Sequence, residues 1–166
     1  MYFIIFISLF ILQRLSELYI ARKNEKWLLE QGAIEYGQSH YPFIVALHTL
    51  FIVSIIVEYI LMGYPLISWL FLTIFIAILS FKFWALSSLG KYWNTKIYRI
   101  PGVYPIKKGP YKFLKHPNYI EVICEIAIIP LVFHLYYTAI IFTILNAAML
   151  TVRIRTENRV WADVRD

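Results

Sequence analysis

The chain is dominated by apolar runs long enough to cross a bilayer, and its basic residues cluster at one end of those runs. A membrane helix needs about 20 mostly apolar residues. Residues 2–20, 42–62, 65–89, 119–133 and 137–152 are the candidates, the fourth being short and containing Pro130. Of the 16 Lys and Arg, only Arg14 and Lys82 lie inside a run; the rest sit in the loop after the first, in residues 90–116, or in the tail. Excess Lys and Arg marks cytoplasmic loops, so this pattern predicts an N-terminus outside, a cytoplasmic C-terminus and about five spans.

The expected fold is therefore an all-α, multi-pass integral membrane protein with its site on the cytoplasmic face. With 60% hydrophobic residues the chain is more apolar than soluble domains, which run near about half. One membrane domain, 1–166, divides into residues 1–89, with three spans and an interfacial helix at about 21–37, and residues 90–166, with a loop, a helical hairpin and a tail. Residues 1–12 lack the basic start and small-residue cleavage site of a leader, and read as the start of the first span. The net charge of +6 orients the protein and meets anionic headgroups, so no nucleic acid is expected as a partner. The single cysteine, Cys124, excludes an intrachain disulfide and a cysteine-rich metal site, and no metal is expected.

Ionisable groups in hydrocarbon must pair or line a wet cavity. Arg14, Glu17, His40, His48, Lys82, Glu121, Glu125, Arg153 and Glu157 all fall in, or at the end of, the same-side halves of the spans; Glu58 lies toward the other end. Pairing of Arg14 and Lys82 with Glu17, Glu121 or Glu125 is one explanation; a polar cavity is the other. The loop "GVYPIKKGPYKFLKHPNY" fixes turns with Gly and Pro and ends on His116–Pro117, where proline suits a first helical turn. Such a helix start can receive an anion. In the tail "TVRIRTENRVW", Arg153 and Glu157 are four apart and share a helix face. They read as a surface pair or as an anion clamp.

"GPYKFLKHPNY", an apolar hairpin and then "RIRTENRVW" resemble the isoprenylcysteine carboxyl methyltransferase family. The matching residues are Gly109, Tyr111, His116, Pro117, Asn118 and Tyr119, followed by Arg153 and Glu157, with Asn158 in place of a second glutamate. The resemblance covers roughly residues 90–161. It implies a membrane enzyme that uses S-adenosylmethionine to methylate an oxygen of a lipophilic substrate. It also implies that Tyr111, His116, Pro117, Asn118, Tyr119, Glu157, the stretch Val103, Tyr104, Pro105 and Ile106, and Lys96 contact the cofactor. Arg153 would face the substrate; Arg153 and Glu157 are the expected catalytic pair. Glu121, where the family often has glycine, is a substrate-pocket candidate with His40 and His48. The N-terminal half looks like short bacterial members, some associated with long-chain alkylpyrones. A nicotinamide-dependent membrane reductase of the sterol-reductase type and a small transport or accessory subunit are the alternatives. The acceptor, the pathway and the oligomeric state are not legible.

Overall fold

The computed structural model describes residues 1–162; Arg165, counted with the basic tail, lies outside them. Five helices carry the fold: α1 (Tyr2–Glu30), α2 (Tyr41–Leu61), α3 (Trp69–Leu89), α4 (Pro117–Leu131) and α5 (Tyr136–Val160). α1, α2, α3 and α5 are long and apolar enough to cross a membrane. The chain is an all-α integral membrane protein, with one short β-pair at the end of the bundle.

At a rise of 1.5 Å per residue α4 is about 22 Å long, short of a bilayer core of about 30 Å. It nevertheless runs from one end of the bundle to the other. Its first turn meets the end of α5 through Tyr119 and Glu157, and the Val132 carbonyl just past its end accepts from the Ser68 amide, at the start of α3, at 2.7 Å. Near that far end Phe3 stacks on Tyr59 and meets Phe133 edge-on. The N-terminus, the end of α2 and the α4–α5 turn therefore lie together, and the chain crosses the bundle five times. His134 takes a left-handed φ of 57° in that turn, and Leu135 donates back to the Pro130 carbonyl at 3.0 Å.

One expectation is corrected. Residues 21–37 do not form a separate helix: α1 continues unbroken through Ile20 to Glu30. "ARKNEKWLLE" is made largely of good helix formers, and nothing stops the helix before Gly32. Polarity changes along this helix without breaking it. Its polar end is held by the following loop: Asn24 donates to the Trp93 carbonyl at 2.7 Å, and Asn94 donates to the Ala21 carbonyl at 2.8 Å. Residues 34–36 then form β1 (Ile34–Tyr36), antiparallel to β2 (Ile97–Arg99), with Glu35 opposite Tyr98. α5 runs two turns past the apolar span to Val160, so Arg153 and Glu157 share the helix face expected from their spacing.

The buried charges are paired. Lys82 Nζ lies 2.7 Å from Glu17 Oε1, 2.8 Å from Glu125 Oε1 and 3.1 Å from Glu121 Oε1, while Arg14 bridges Glu17 at 2.8 Å and also reaches Glu125. This cluster ties α1, α3 and α4 together within their apolar stretches, where a lone charge would be costly. Glu58 has a different task. Its carboxylate accepts from the amides of Tyr137 and Thr138 at 3.1 and 2.7 Å. It thus satisfies orphan donors in the first turn of α5 and meets that helix's positive end.

Candidate active site

His116 precedes α4, and Pro117 occupies its first position, as expected. One turn places Tyr119 on the face toward α5, and the extension of α5 brings Arg153 and Glu157 to it. The Tyr119 hydroxyl donates to Glu157 Oε2 and accepts from Arg153 Nε at 3.1 Å. Arg153 Nη2 also donates to the Thr95 carbonyl, and its guanidinium lies 5.6 Å from the Tyr119 ring centroid. His116 stacks on Tyr119, with Nδ1 3.6 Å from Glu157 Oε1. Its other ring nitrogen is 3.3 Å from Asn158 Oδ1. The residue that departs from the Glu-Glu pattern therefore has a place, against the far side of the imidazole.

The turn before α4 is pressed onto α3. Gly109 has φ +52°, and a Cβ there would lie 2.0 Å from Ser88 Oγ. Only glycine allows this conformation and this approach together. Tyr111 follows. Its hydroxyl and Asn118 Oδ1 are buried with no hydrogen-bond partner among the described residues. Burial pushes the Tyr111 phenol up and the Glu157 carboxylate adds to this, while the neighbouring Asn118 side chain works the other way. Buried polar atoms without partners cost about 1–3 kcal/mol each, and in a native fold they ask for a reason. Beside the His116–Pro117 helix start, they fit a polar ligand bearing both donors and acceptors, such as a nucleoside cofactor with an amino-acid tail.

On the other side of Arg153 a narrow, closely packed crevice is lined by Glu35, Tyr36, Gly37, His40, Tyr41, Lys96, Ile97 and Arg153. Its walls are tied together through Thr95, whose hydroxyl is 3.2 Å from the Tyr41 hydroxyl and whose carbonyl holds Arg153. Lys96 Nζ donates to Glu25 at 2.7 Å and lies 3.5 Å from Glu35. Partial burial opposes its charge, but the two carboxylates raise its pKa. The Tyr98 hydroxyl bridges the same pair and is pushed up by burial and by those hydrogen bonds. Arg99 donates to the Val160 carbonyl at 2.6 Å, which fixes the end of α5 against β2.

Of the residues picked out from the sequence, Tyr111, His116, Pro117, Asn118, Tyr119, Arg153 and Glu157 come together, and Lys96 and His40 line the adjoining crevice. Three groups are placed elsewhere. Glu121 points into the ion cluster with Lys82. His48 turns its Nδ1 to the Ile44 carbonyl at 2.9 Å. The Val103, Tyr104, Pro105 and Ile106 stretch lies on the loop after β2, with Tyr104 74% exposed. No hydrogen bond among the described residues joins that stretch to His116 or Glu157. Thr95, Tyr36, Gly37 and Tyr41 carry no sequence signal: their role depends on a three-residue β-pair too short to predict.

A family model, that of the isoprenylcysteine carboxyl methyltransferase (ICMT) family, matches residues 69–163. The chain is similar to the uncharacterized protein YpbQ of Bacillus subtilis (strain 168), with 51% identity over 160 residues covering 95% of each chain. It is also similar to an uncharacterized protein of Haemophilus influenzae, with 29% identity over 147 residues covering 87% of this chain and 86% of the other. No solved structure matches it.

Proposed function

The chain belongs to the isoprenylcysteine carboxyl methyltransferase family, and on that premise we propose that it transfers a methyl group from S-adenosylmethionine to an acidic oxygen of a lipophilic acceptor. The acceptor is of the long-chain alkylpyrone type or a prenylcysteine-like carboxylate. The observation that carries this reading is the junction of Tyr119, Arg153 and Glu157 beside the unpartnered Tyr111 and Asn118. Membership of a methyltransferase family supports this reading over the reductase and transport alternatives. The basic loops support a cytoplasmic site in a bacterial membrane.

When bound, S-adenosylmethionine supplies an electrophilic methyl group on a sulfonium. The protein's own work is to bind, orient and exclude water. Tyr111, His116, Pro117, Asn118 and Tyr119 hold the cofactor, with α4 turning the positive end of its dipole to a carboxylate. A tyrosine face favours a nearby cation, worth about 0.5–2 kcal/mol. Arg153 spends Nε and Nη2 on Tyr119 and Thr95, which locks the guanidinium and leaves Nη1 for an acceptor oxyanion. Glu157 holds Tyr119 and His116 in place. The acceptor's apolar chain lies between helices or in the bilayer.

Calorimetry in detergent tests the cofactor half. Wild type binds S-adenosylmethionine, and Tyr111→Ala and His116→Ala each weaken binding at least tenfold while remaining folded. Equal binding by all three proteins rejects the site.

A further inference from the structure

Residues 59–120 contain no Asp or Glu, and Lys107, Lys108, Lys112 and Lys115 stand close together near their end. All four lysines are exposed, and none has a hydrogen bond or an ion pair among the described residues. Cations elsewhere are treated differently: Arg14, Lys82 and Lys96 each face a carboxylate. Between the lysines stand Phe113, 80% exposed, and Leu114, also exposed. Both are held at the tip of a tight turn, their amides donating to the Pro110 carbonyl at 3.1 and 2.9 Å. The depth of this turn is set by α3. The Cβ that would clash with Ser88 at Gly109 would also lie 3.0 Å from Trp84 Nε1. Trp84 is exposed near the end of an apolar helix, and tryptophan at such a place marks the membrane–water interface. The turn therefore sits at the level where α3 leaves the bilayer, with apolar and basic side chains presented together.

We propose that residues 107–115 form a seat for anionic phospholipid headgroups, with Phe113 and Leu114 entering the acyl boundary and the four lysines meeting phosphates, and that lipid on this seat holds the cofactor turn in place. The second half rests on the methyl-transfer reading. Attraction between lysine and an anionic leaflet falls off within a Debye length, so charges at headgroup depth gain most from it. Apolar side chains flanked by lysine are the composition that lies in the interface plane. Charge that only orients the chain needs no apolar pair among the lysines, and a nucleic acid or an acidic protein would leave Phe113 in water. The link to the site is covalent and short. Tyr111 precedes Lys112 and His116 follows Lys115, so the lipid-facing tip is the run between two residues assigned to the cofactor. Binding couplings are reciprocal: lipid that orders the turn tightens S-adenosylmethionine, and the bound cofactor tightens the lipid contact.

The test uses full-length protein with Cys124→Ser and Phe113→Cys, carrying a nitroxide spin label on the introduced thiol, in lipid nanodiscs. In discs of equal parts phosphatidylcholine and phosphatidylglycerol, the label is relaxed by oxygen and protected from a water-soluble nickel chelate. In phosphatidylcholine alone its accessibility to nickel rises roughly threefold or more. Lys107→Gln, Lys108→Gln, Lys112→Gln and Lys115→Gln made together give that higher value in both discs. Calorimetry on protein with Phe113 intact reads the link to the site: affinity for S-adenosylmethionine is roughly threefold or more higher in the mixed discs, and the four-lysine variant loses this gain. Equal nickel accessibility in the two discs, protection retained in the four-lysine variant, or protection produced in phosphatidylcholine discs by soluble glycerol phosphate overturns the lipid seat. Equal cofactor affinity in the two discs overturns its link to the cofactor turn. A protein that binds no S-adenosylmethionine in either disc refutes the methyl-transfer reading, and the label alone then decides the seat.

Discussion

Arg153 on α5 donates through Nε to the Tyr119 hydroxyl on α4 at 3.1 Å, and that hydroxyl in turn donates a hydrogen bond to Glu157. One phenol thereby sets the position of both the cation and the carboxylate of the site. Tyr119→Phe keeps the ring that stacks on His116 and removes only this relay. Hydrogen bonds to charged groups are worth about 1.5–3 kcal/mol, so methyl transfer falls roughly 10- to 150-fold. Turnover measured beside a thermal unfolding curve checks this, with the midpoint expected to move little.

The orphaned Tyr111 hydroxyl separates ligand binding from stability. Tyr111→Phe removes a buried polar atom that has no partner. The ligand-free protein gains about 1 kcal/mol in stability, while affinity for S-adenosylmethionine falls. Unfolding and calorimetry on the same preparation read both. A variant that loses stability and keeps affinity contradicts the assignment of Tyr111 to the cofactor.

Gly109→Ala forces a methyl group to within 2.0 Å of Ser88 Oγ and 2.9 Å of Ser88 Cβ. The Tyr111 turn lifts away from α3, and cofactor affinity drops at least tenfold. The double variant Gly109→Ala with Ser88→Gly recovers part of the loss, and what remains reflects the left-handed backbone.

Lys82→Met leaves Glu17, Glu121 and Glu125 facing Arg14 alone. Removing one partner of a buried pair destabilises by about 3–5 kcal/mol. Denaturant unfolding in mixed micelles should show a loss of that order, and Lys82→Met combined with Glu125→Gln a smaller one.

Much of this was legible in the sequence, for identifiable reasons. The spans follow from hydrophobicity alone. The pairing of Arg14 and Lys82 with Glu17, Glu121 and Glu125 follows from the expense of lone charges in hydrocarbon. His116 stood out by its place before Pro117, Arg153 and Glu157 by their spacing, and Tyr119 by the resemblance to the methyltransferase family. What was not legible depends on long-range geometry. The continuity of α1 through Ala21 was hidden by a change in polarity that leaves helix propensity intact. The β-pair of residues 34–36 with 97–99 is too short for any alternation to register, yet it brings Tyr36, Gly37 and His40 to Arg153. Glu121 drew attention as a departure from a family glycine, and Lys82 draws it into the ion cluster instead. Glu58 gave no hint that it caps α5, because the partner amides lie 79 and 80 residues away.

Methyl transfer itself is the most direct test. Purified protein in lipid nanodiscs is incubated with methyl-labelled S-adenosylmethionine and a lipid extract from the source membrane. Extractable lipid is then separated from protein, and the labelled species is identified by mass spectrometry. Label in a free lipid bearing a new O-methyl group, lost in Arg153→Gln and reduced in Tyr119→Phe, is the predicted result. Absence of transferred label with wild type, or equal transfer by wild type and Arg153→Gln, contradicts the account.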